Sequence, residues 1–187
     1  MDRHTWNSGF LPKVTVGLIW IFCAFPFAPA RADEYQDAIT KAFPGFQIMS
    51  RSEFKPEIQK AVKGNPGLIT GRFNDDDLMD FAAIIREKAI RPREQGVREH
   101  YSGKWVICHG SGKGQYRCQA LGEMPMFLPY EIYLSRVSPR MVKCSKGAGK
   151  KADVTIKRDA VGYEASNVAG VYIYQPDGSY LECTTAD

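Results

Sequence analysis

The sequence predicts an α+β fold in which antiparallel β-sheet makes up most of the structure and two short helices come first. Between residues 33 and 66 the apolar residues recur every three or four positions, as on the buried face of an amphipathic helix. After Leu68 they come in short runs separated by glycine, proline and aspartate, which is typical of strands joined by turns. We expect both helices to pack on one side of the sheet.

Two apolar stripes predict the helices. The stripe of the first helix consists of Tyr35, Ala38, Ile39, Ala42 and Phe43. Pro44-Gly45 should end this helix. The stripe of the second helix consists of Phe54, Ile58, Ala61 and Val62. Ser52 is the expected N-cap of the second helix, which should stop before Gly64.

Short apolar runs predict the strands. These runs cover residues 68–73, 81–85, 105–108, 116–118, 127–134, 141–144, 154–157, 171–174 and 180–183. Pro176-Asp177-Gly178 predicts a tight turn between the last two strands, because proline presets φ and glycine accepts a positive φ. Residues 88–102 are charged and follow neither period, so they predict a surface loop.

The first 32 residues have the parts of a cleavable signal peptide. A polar, basic segment (1–13) precedes an apolar run (14–25), and Ala30-Arg31-Ala32 places small residues at positions −3 and −1 of a cut after residue 32. An uncleaved anchor is less favoured, because the run is shorter than the ~20 residues of a spanning helix. We therefore expect residues 33–187 to form a single periplasmic or secreted domain, with no membrane attachment after cleavage.

The charge of the mature chain is nearly balanced. Removing Arg3, Lys13, Arg31 and Asp2 with the signal reduces 25 basic and 21 acidic residues to 22 and 20. Such a balance gives no long-range attraction to a polyanion, so we expect no nucleic-acid partner.

Four cysteines remain after Cys23 leaves with the signal: Cys108, Cys118, Cys144 and Cys183. An even number in an exported chain indicates two disulfides. A hairpin closing symmetrically about Lys113 would place Cys108 opposite Cys118, within disulfide reach, and leave Cys144 to pair with Cys183. Free buried thiols are the alternative, and a zinc site is disfavoured because no C-x-x-C spacing occurs.

Residues 71–82 form an acidic loop with oxygen-bearing side chains at alternate positions, a pattern that can wrap a calcium ion. In that register the expected ligands are Asn74, Asp76, the backbone carbonyl of Leu78, and Asp80.

The segment G-R-F-N-D-D-D-L-M-D-F-A resembles the G-D-F-N-G-D-G-x-x-D-x-A calcium loop of FG-GAP-like proteins, and especially small exported proteins with a single such unit. The tail, residues 171–187, resembles theirs in its tyrosine-rich strand and Pro-Asp-Gly turn. One unit cannot build the propeller that several units form.

The loop departs from the calcium motif at three positions: Arg72 replaces the first aspartate, and Asp75 and Asp77 replace two glycines. We expect Arg72 to pair with Asp76 or Asp80 and weaken calcium binding; a calcium site and a plain solvated turn are the alternatives.

Other candidate sites are less specific. A basic patch of Lys143, Lys146, Lys150 and Lys151 could hold an acidic partner, although charged runs are usually solvated. Residues 110–114 lack the spacing of a phosphate-binding loop and predict a hairpin tip. His100 and His109 are not accompanied by a G-x-S-x-G motif, so no hydrolytic triad can be assigned.

From these observations we expect a non-enzymatic binding or accessory domain whose partner is another exported protein. No cofactor is expected, and calcium is the single candidate. One alternative is a calcium-stabilised structural module. The other is a hydrolytic enzyme whose site is assembled from dispersed residues such as His100, Glu123 and Asp80.

Overall fold

A computed structural model describes residues 32–88, 101–127, 131–146, 150–165 and 168–185. These residues belong to one compact unit. They form two antiparallel sheets and two short helices, which confirms the predicted α+β, mainly β fold. Within the described ranges, no helix is long and apolar enough to cross a membrane.

The elements follow one another in a simple order. They are α1 (Ala32–Ala42), β1 (Phe46–Ile48), a 3₁₀ helix (Arg51–Glu53), α2 (Pro56–Ala61), β2 (Leu68–Gly71), β3 (Asp80–Glu87), β4 (Tyr101–Gly110), β5 (Tyr116–Phe127), β6 (Tyr133–Val137), β7 (Arg140–Lys146), β8 (Lys150–Ile156), β9 (Ala160–Ala165), β10 (Val168–Tyr174) and β11 (Tyr180–Thr184).

The first sheet has the strand order β1-β3-β4-β5, and β2 pairs with the same strand, β3, as β1 does. β1 pairs with the end of β3 and β2 with its beginning. Residues 80–85 of β3 are buried, and successive side chains on a strand point to opposite faces. β3 is therefore the buried centre of this sheet, with packed layers on both faces.

The two helices cover opposite faces of β3. Tyr35 and Ile39 of α1 pack in one cluster with Phe81, while Ile58 of α2 packs against the cluster that contains Ala82. The expectation that both helices lie on one side of the sheet is therefore wrong. The physical reason is that β3 has apolar side chains on both faces, and each face needs a cover.

The second helical segment is shorter than its apolar stripe predicts. The segment begins with the 3₁₀ helix, whose N-cap is Ser50 and not the expected Ser52. The backbone N–H of Ser50 donates to Glu53 Oε2 at 2.7 Å. The segment then breaks, because Pro56 favours an extended conformation for Lys55, at φ −56° and ψ 145°. A new helix starts with Pro56 in its first turn, where a missing N–H costs nothing.

The second sheet has the order β6-β9-β10-β11-β7-β8. Its strands β9, β10 and β11 are fully paired, whereas β11 and β7 share the single residue pair Thr184–Ser145. The hairpin β7–β8 covers a separate apolar cluster that includes Val142, Val171 and Ile173. This sheet thus encloses a small core of its own.

The two sheets meet through aromatic side chains. The ring of Trp105 from β4 stacks on Tyr163 from β9, with centroids 4.7 Å apart, and Tyr172 from β10 lies beside both. A Cβ atom at Gly170 would come within 2.4 Å of the Tyr163 ring, so glycine is required for this packing.

Most predicted strands are present with shifted ends, and two strands were not predicted. β1 is three residues long, and β9 contains small residues (Ala160, Gly162 and Ala165) that weaken its pattern. The predicted run at 127–134 corresponds to the end of β5 and the start of β6, and 128–130 lie outside the described residues. The predicted surface loop, 88–102, also falls largely outside them, since 89–100 are not described.

Candidate functional site

Both predicted disulfides are present. Cys108 and Cys118 are direct cross-strand partners in the β4–β5 hairpin, with Cα atoms 3.9 Å apart. Cys144 and Cys183 join β7 to β11, with Cα atoms 5.0 Å apart. The hairpin turns at Lys113, whose φ of 53° lies between two glycines of positive φ. Symmetry about this residue is what brings Cys108 opposite Cys118.

Asp80 anchors the acidic loop from beneath. Its side chain is fully buried. One carboxylate oxygen accepts the N–H of Phe73 at 2.8 Å, and the other accepts the N–H of Gly110 at 3.0 Å. A buried carboxylate with two backbone donors is strongly held, so Asp80 fixes both the start of the loop and the end of β4.

His109 lies between Asp80 and Tyr180 of the second sheet. Its Nδ1 lies 3.3 Å from Asp80 Oδ2, in an electrostatic contact that lacks the alignment of a hydrogen bond. Its Nε2 lies 3.2 Å from the hydroxyl of Tyr180, and that hydroxyl also donates to the carbonyl of Phe73 at 3.2 Å. Burial, with the charge of Asp80 nearby, raises the pKa of Tyr180. Tyr180 therefore stays a neutral hydrogen-bonding tie between β11 and the loop.

The upper part of the loop is a series of side-chain-stabilised turns. Asn74 Oδ1 accepts the N–H of Asp76 at 3.1 Å, and Asp76 Oδ1 accepts the N–H of Leu78 at 2.9 Å. The amide of Asn74 also donates to Asp76 Oδ2 at 2.8 Å. This arrangement turns Leu78 and Met79 outward, where they are 41% and 52% exposed.

The carboxylates of Asp75 and Asp77 contact Arg158, a residue that the sequence patterns did not indicate. Arg158, in the turn between β8 and β9, places Nε 3.2 Å from Asp75 and Nη1 3.4 Å from Asp77. Arg72 lies 3.9 Å from Asp77, and the expected partners Asp76 and Asp80 are not its ion-pair partners among the described residues. The expectation for Arg72 is therefore wrong, because Asp80 points into the core and Asp76 is used by its own loop.

The three predicted calcium ligands that are side chains, Asn74, Asp76 and Asp80, are engaged in hydrogen bonds within the protein. Asp80 is fully buried, and each of its carboxylate oxygens accepts one backbone N–H. Nowhere in the described ranges do three or more His, Cys, Asp or Glu side chains cluster as metal ligands would. Calcium binding stays an untested prediction from the sequence pattern.

A cleft of about 970 Å³ opens beside the loop. One wall is a face of α1 that carries Glu34, Asp37, Ala38 and Lys41 at helical spacing. The buried neighbours Tyr35 and Ile39 fix this helix, and the Tyr35 ring lies 4.5 Å from that of Phe81 and 5.8 Å from that of Tyr116. The facing residues come from the acidic loop, the hairpin tip and β10: Asn74, Asp76, Leu78, His109, Gly110, Ser111, Gly114, Gln115, Tyr116, Arg117 and Tyr174.

The cleft contains charges of both signs that are not neutralised within the described structure. Asp37, Lys41, Asp76 and Arg117 all line it, and none of them forms an ion pair with another described side chain. Sequence patterns did not reveal this cleft, because its walls are separated by up to 140 residues in the chain.

The remaining predicted site residues are scattered or not described. Lys143 is exposed on β7, while the side chains of Lys146, Lys150 and Lys151 lie outside the described part. The backbone register does place Lys146 opposite Lys150 at the end of the β7–β8 hairpin. His100 and the side chain of Glu123 also lie outside the described part, so the dispersed enzyme site is represented by Asp80 alone.

Comparisons with protein-family profiles, with curated proteins and with solved structures gave no match to this chain.

Proposed function

We propose that this chain is an exported, disulfide-stabilised domain that acts by binding, and that the cleft beside the acidic loop is its binding site. The observation that carries the proposal is the cleft itself, whose volume of about 970 Å³ lies within the range of ligand sites. The partner expected from the sequence is another exported protein.

Two features support a preorganised site. The Cys108–Cys118 bond closes the hairpin that supplies one wall, and the hydrogen bonds to Asp80 hold the loop that supplies another. A rigid site loses less conformational entropy when it binds. Export is supported by the two disulfides, which persist in oxidising compartments, and by the signal-like first 32 residues.

The alternatives have less support. A calcium-stabilised module is disfavoured by Arg158, whose guanidinium already contacts the loop carboxylates. A hydrolytic enzyme would use His109, which Asp80 contacts and which lines the cleft, but its Nε2 is engaged by Tyr180. The resemblance to single-unit FG-GAP-like proteins stays part of this proposal as an expectation about the loop.

Filling the cleft tests the proposal. Ala38 lines the cleft and also packs against the apolar cluster beneath α1, so Ala38→Trp should block the cleft, and its urea midpoint would verify that the domain still folds. Ala61→Trp places the same bulk on the exposed part of α2. Tagged protein would be recovered from the periplasm or medium of its native cells and its companions identified. The native protein and Ala61→Trp should retain the same companion, and Ala38→Trp should lose it. Equal recovery by both variants would show that binding does not use the cleft.

A further inference from the structure

Three of the charged side chains that line the cleft indicate the chemistry of its ligand. Asp37 offers a carboxylate, Lys41 and Arg117 offer cations, and none of these three forms an ion pair within the described parts of the chain. Opposite charges that line one concave site can each be matched by a ligand that also has both signs. A ligand with one kind of charge would be attracted by the side chains of one sign and repelled by those of the other.

The uncharged walls add a preference for a partly apolar ligand. Leu78 is 41% exposed at the cleft, and the rings of Tyr116 and Tyr174 line it as well. Ser111 and Gln115 supply hydrogen-bonding groups at the hairpin tip. This combination suits a polypeptide, which has amide groups for hydrogen bonds and side chains for apolar contact.

Resting on the proposed binding function, we propose that the cleft takes a short stretch of peptide that carries an ammonium or guanidinium group and a carboxylate a few residues apart. The positive group meets Asp37, and the carboxylate meets Lys41 and Arg117. Two sources share this chemistry: a free short peptide with both termini charged, and a segment of an exported protein with a basic and an acidic side chain.

Three tripeptide probes separate these sources. The first is Ala-Leu-Ala with free termini, the second is N-acetylated and C-amidated Lys-Leu-Glu, and the third is N-acetylated and C-amidated Ala-Leu-Ala, which has no charge. Their Kd values would be measured by NMR from the backbone amide shifts of Gly110 and Gly114, which line the cleft. Tighter binding of the first probe indicates a free peptide, and tighter binding of the second indicates a protein segment.

Variants then assign the charges. Asp37→Asn and Arg117→Gln should each raise the Kd of the preferred charged probe about tenfold, as expected for loss of a charge-assisted contact. Neither variant should change the Kd of the uncharged probe. Glu57→Gln on α2 and Arg140→Gln on β7 remove exposed charges outside the cleft and should change no Kd.

The proposal is overturned if the uncharged probe binds as tightly as both charged ones, if no probe shifts the Gly110 and Gly114 amides, or if the cleft variants behave like the two controls. These results leave the binding function itself standing, because that function is tested by Ala38→Trp against Ala61→Trp. Conversely, if Ala38→Trp recovers the same companion as the native protein, the cleft is not the site of that interaction, even if a peptide binds in the cleft.

Discussion

The two disulfides perform different tasks because they lie in differently paired regions. Cys108–Cys118 connects neighbouring strands that already share a long ladder, and its ends are 10 residues apart in sequence. Cys144–Cys183 spans 39 residues and lies where β7 and β11 share one residue pair. The first bond therefore adds rigidity to a structured wall of the cleft, whereas the second replaces missing strand pairing.

The largest expected effect is that of removing the longer-range bond. In the chain-entropy description a 39-residue loop corresponds to about 4 kcal/mol of unfolding free energy. Cys144→Ala/Cys183→Ala should lose about that amount in urea denaturation and release the β7–β8 hairpin from β11. Hydrogen exchange should become faster in β7 and β8 than in β3. Uniform exchange throughout the domain would contradict this assignment.

Removing the shorter-range bond should lower the stability less than removing the longer-range bond does, and should weaken ligand binding more. A 10-residue loop corresponds to about 3 kcal/mol. Cys108→Ala/Cys118→Ala should therefore unfold at a higher urea concentration than the other double variant, yet bind any cleft ligand more weakly, because the hairpin wall loses its closure. The reverse order of the two stabilities would contradict both the loop-length argument and the role of Cys144–Cys183 in replacing strand pairing.

The hydrogen bonds of Asp80 should contribute less to stability than either disulfide. Asp80→Asn directs an NH₂ group at a backbone N–H in a fully buried position, so it should cost about 2 kcal/mol. Asp77→Asn, at an exposed position of the same loop, is the matched control and should stay within about 0.5 kcal/mol. Equal effects on the urea midpoint would refute the anchoring role of Asp80.

Arg158 should have a small effect, because its contacts are partly exposed. Asp77 is 83% exposed and the Arg158 side chain 37%, so Arg158→Gln should cost less than about 1 kcal/mol, and Arg72→Gln less still. Since the loop oxygens are already engaged, adding calcium or a chelator should leave the Tm of the native protein unchanged. A rise of Tm with micromolar calcium would restore the calcium interpretation of the loop.

The last effect should be confined to high pH. Burial and a hydrogen bond to Glu182 raise the pKa of Tyr163 to about 12, above its ordinary value of 10.0. The folded state then holds a proton that the unfolded state has lost, so stability is complete below pH 10 and falls as pH rises toward 12. Tyr163→Phe should reduce this fall in urea denaturation across that pH range, to which Tyr172 and Tyr180 also contribute because burial raises their pKa values. An unchanged slope would show that other groups cause it.

Local patterns predicted much of the fold, and the cleft could not be predicted from them. The stripe of Tyr35 and Ile39, the glycines around Lys113 and the Pro-Asp-Gly turn act over a few residues, so sequence spacing reveals them directly. Cys108 and Cys118 could be paired for the same reason. The contact of Arg158 with Asp75 joins residues more than 80 positions apart, and the cleft brings α1, the loop and β5 together through tertiary packing. No periodicity carries that information.

The close approach of Gly110 to the loop has a consequence for how ligand preference can change during evolution. A Cβ atom there would lie 2.5 Å from the carbonyl oxygen of Met79, so backbone touches backbone and substitution is blocked. Asp37 and Lys41 on α1 can be replaced without loss of the fold, because Tyr35 and Ile39 anchor the helix from its other face. We therefore expect descendants of this domain to acquire new ligands by varying the helical wall while the junction at Gly110 stays fixed.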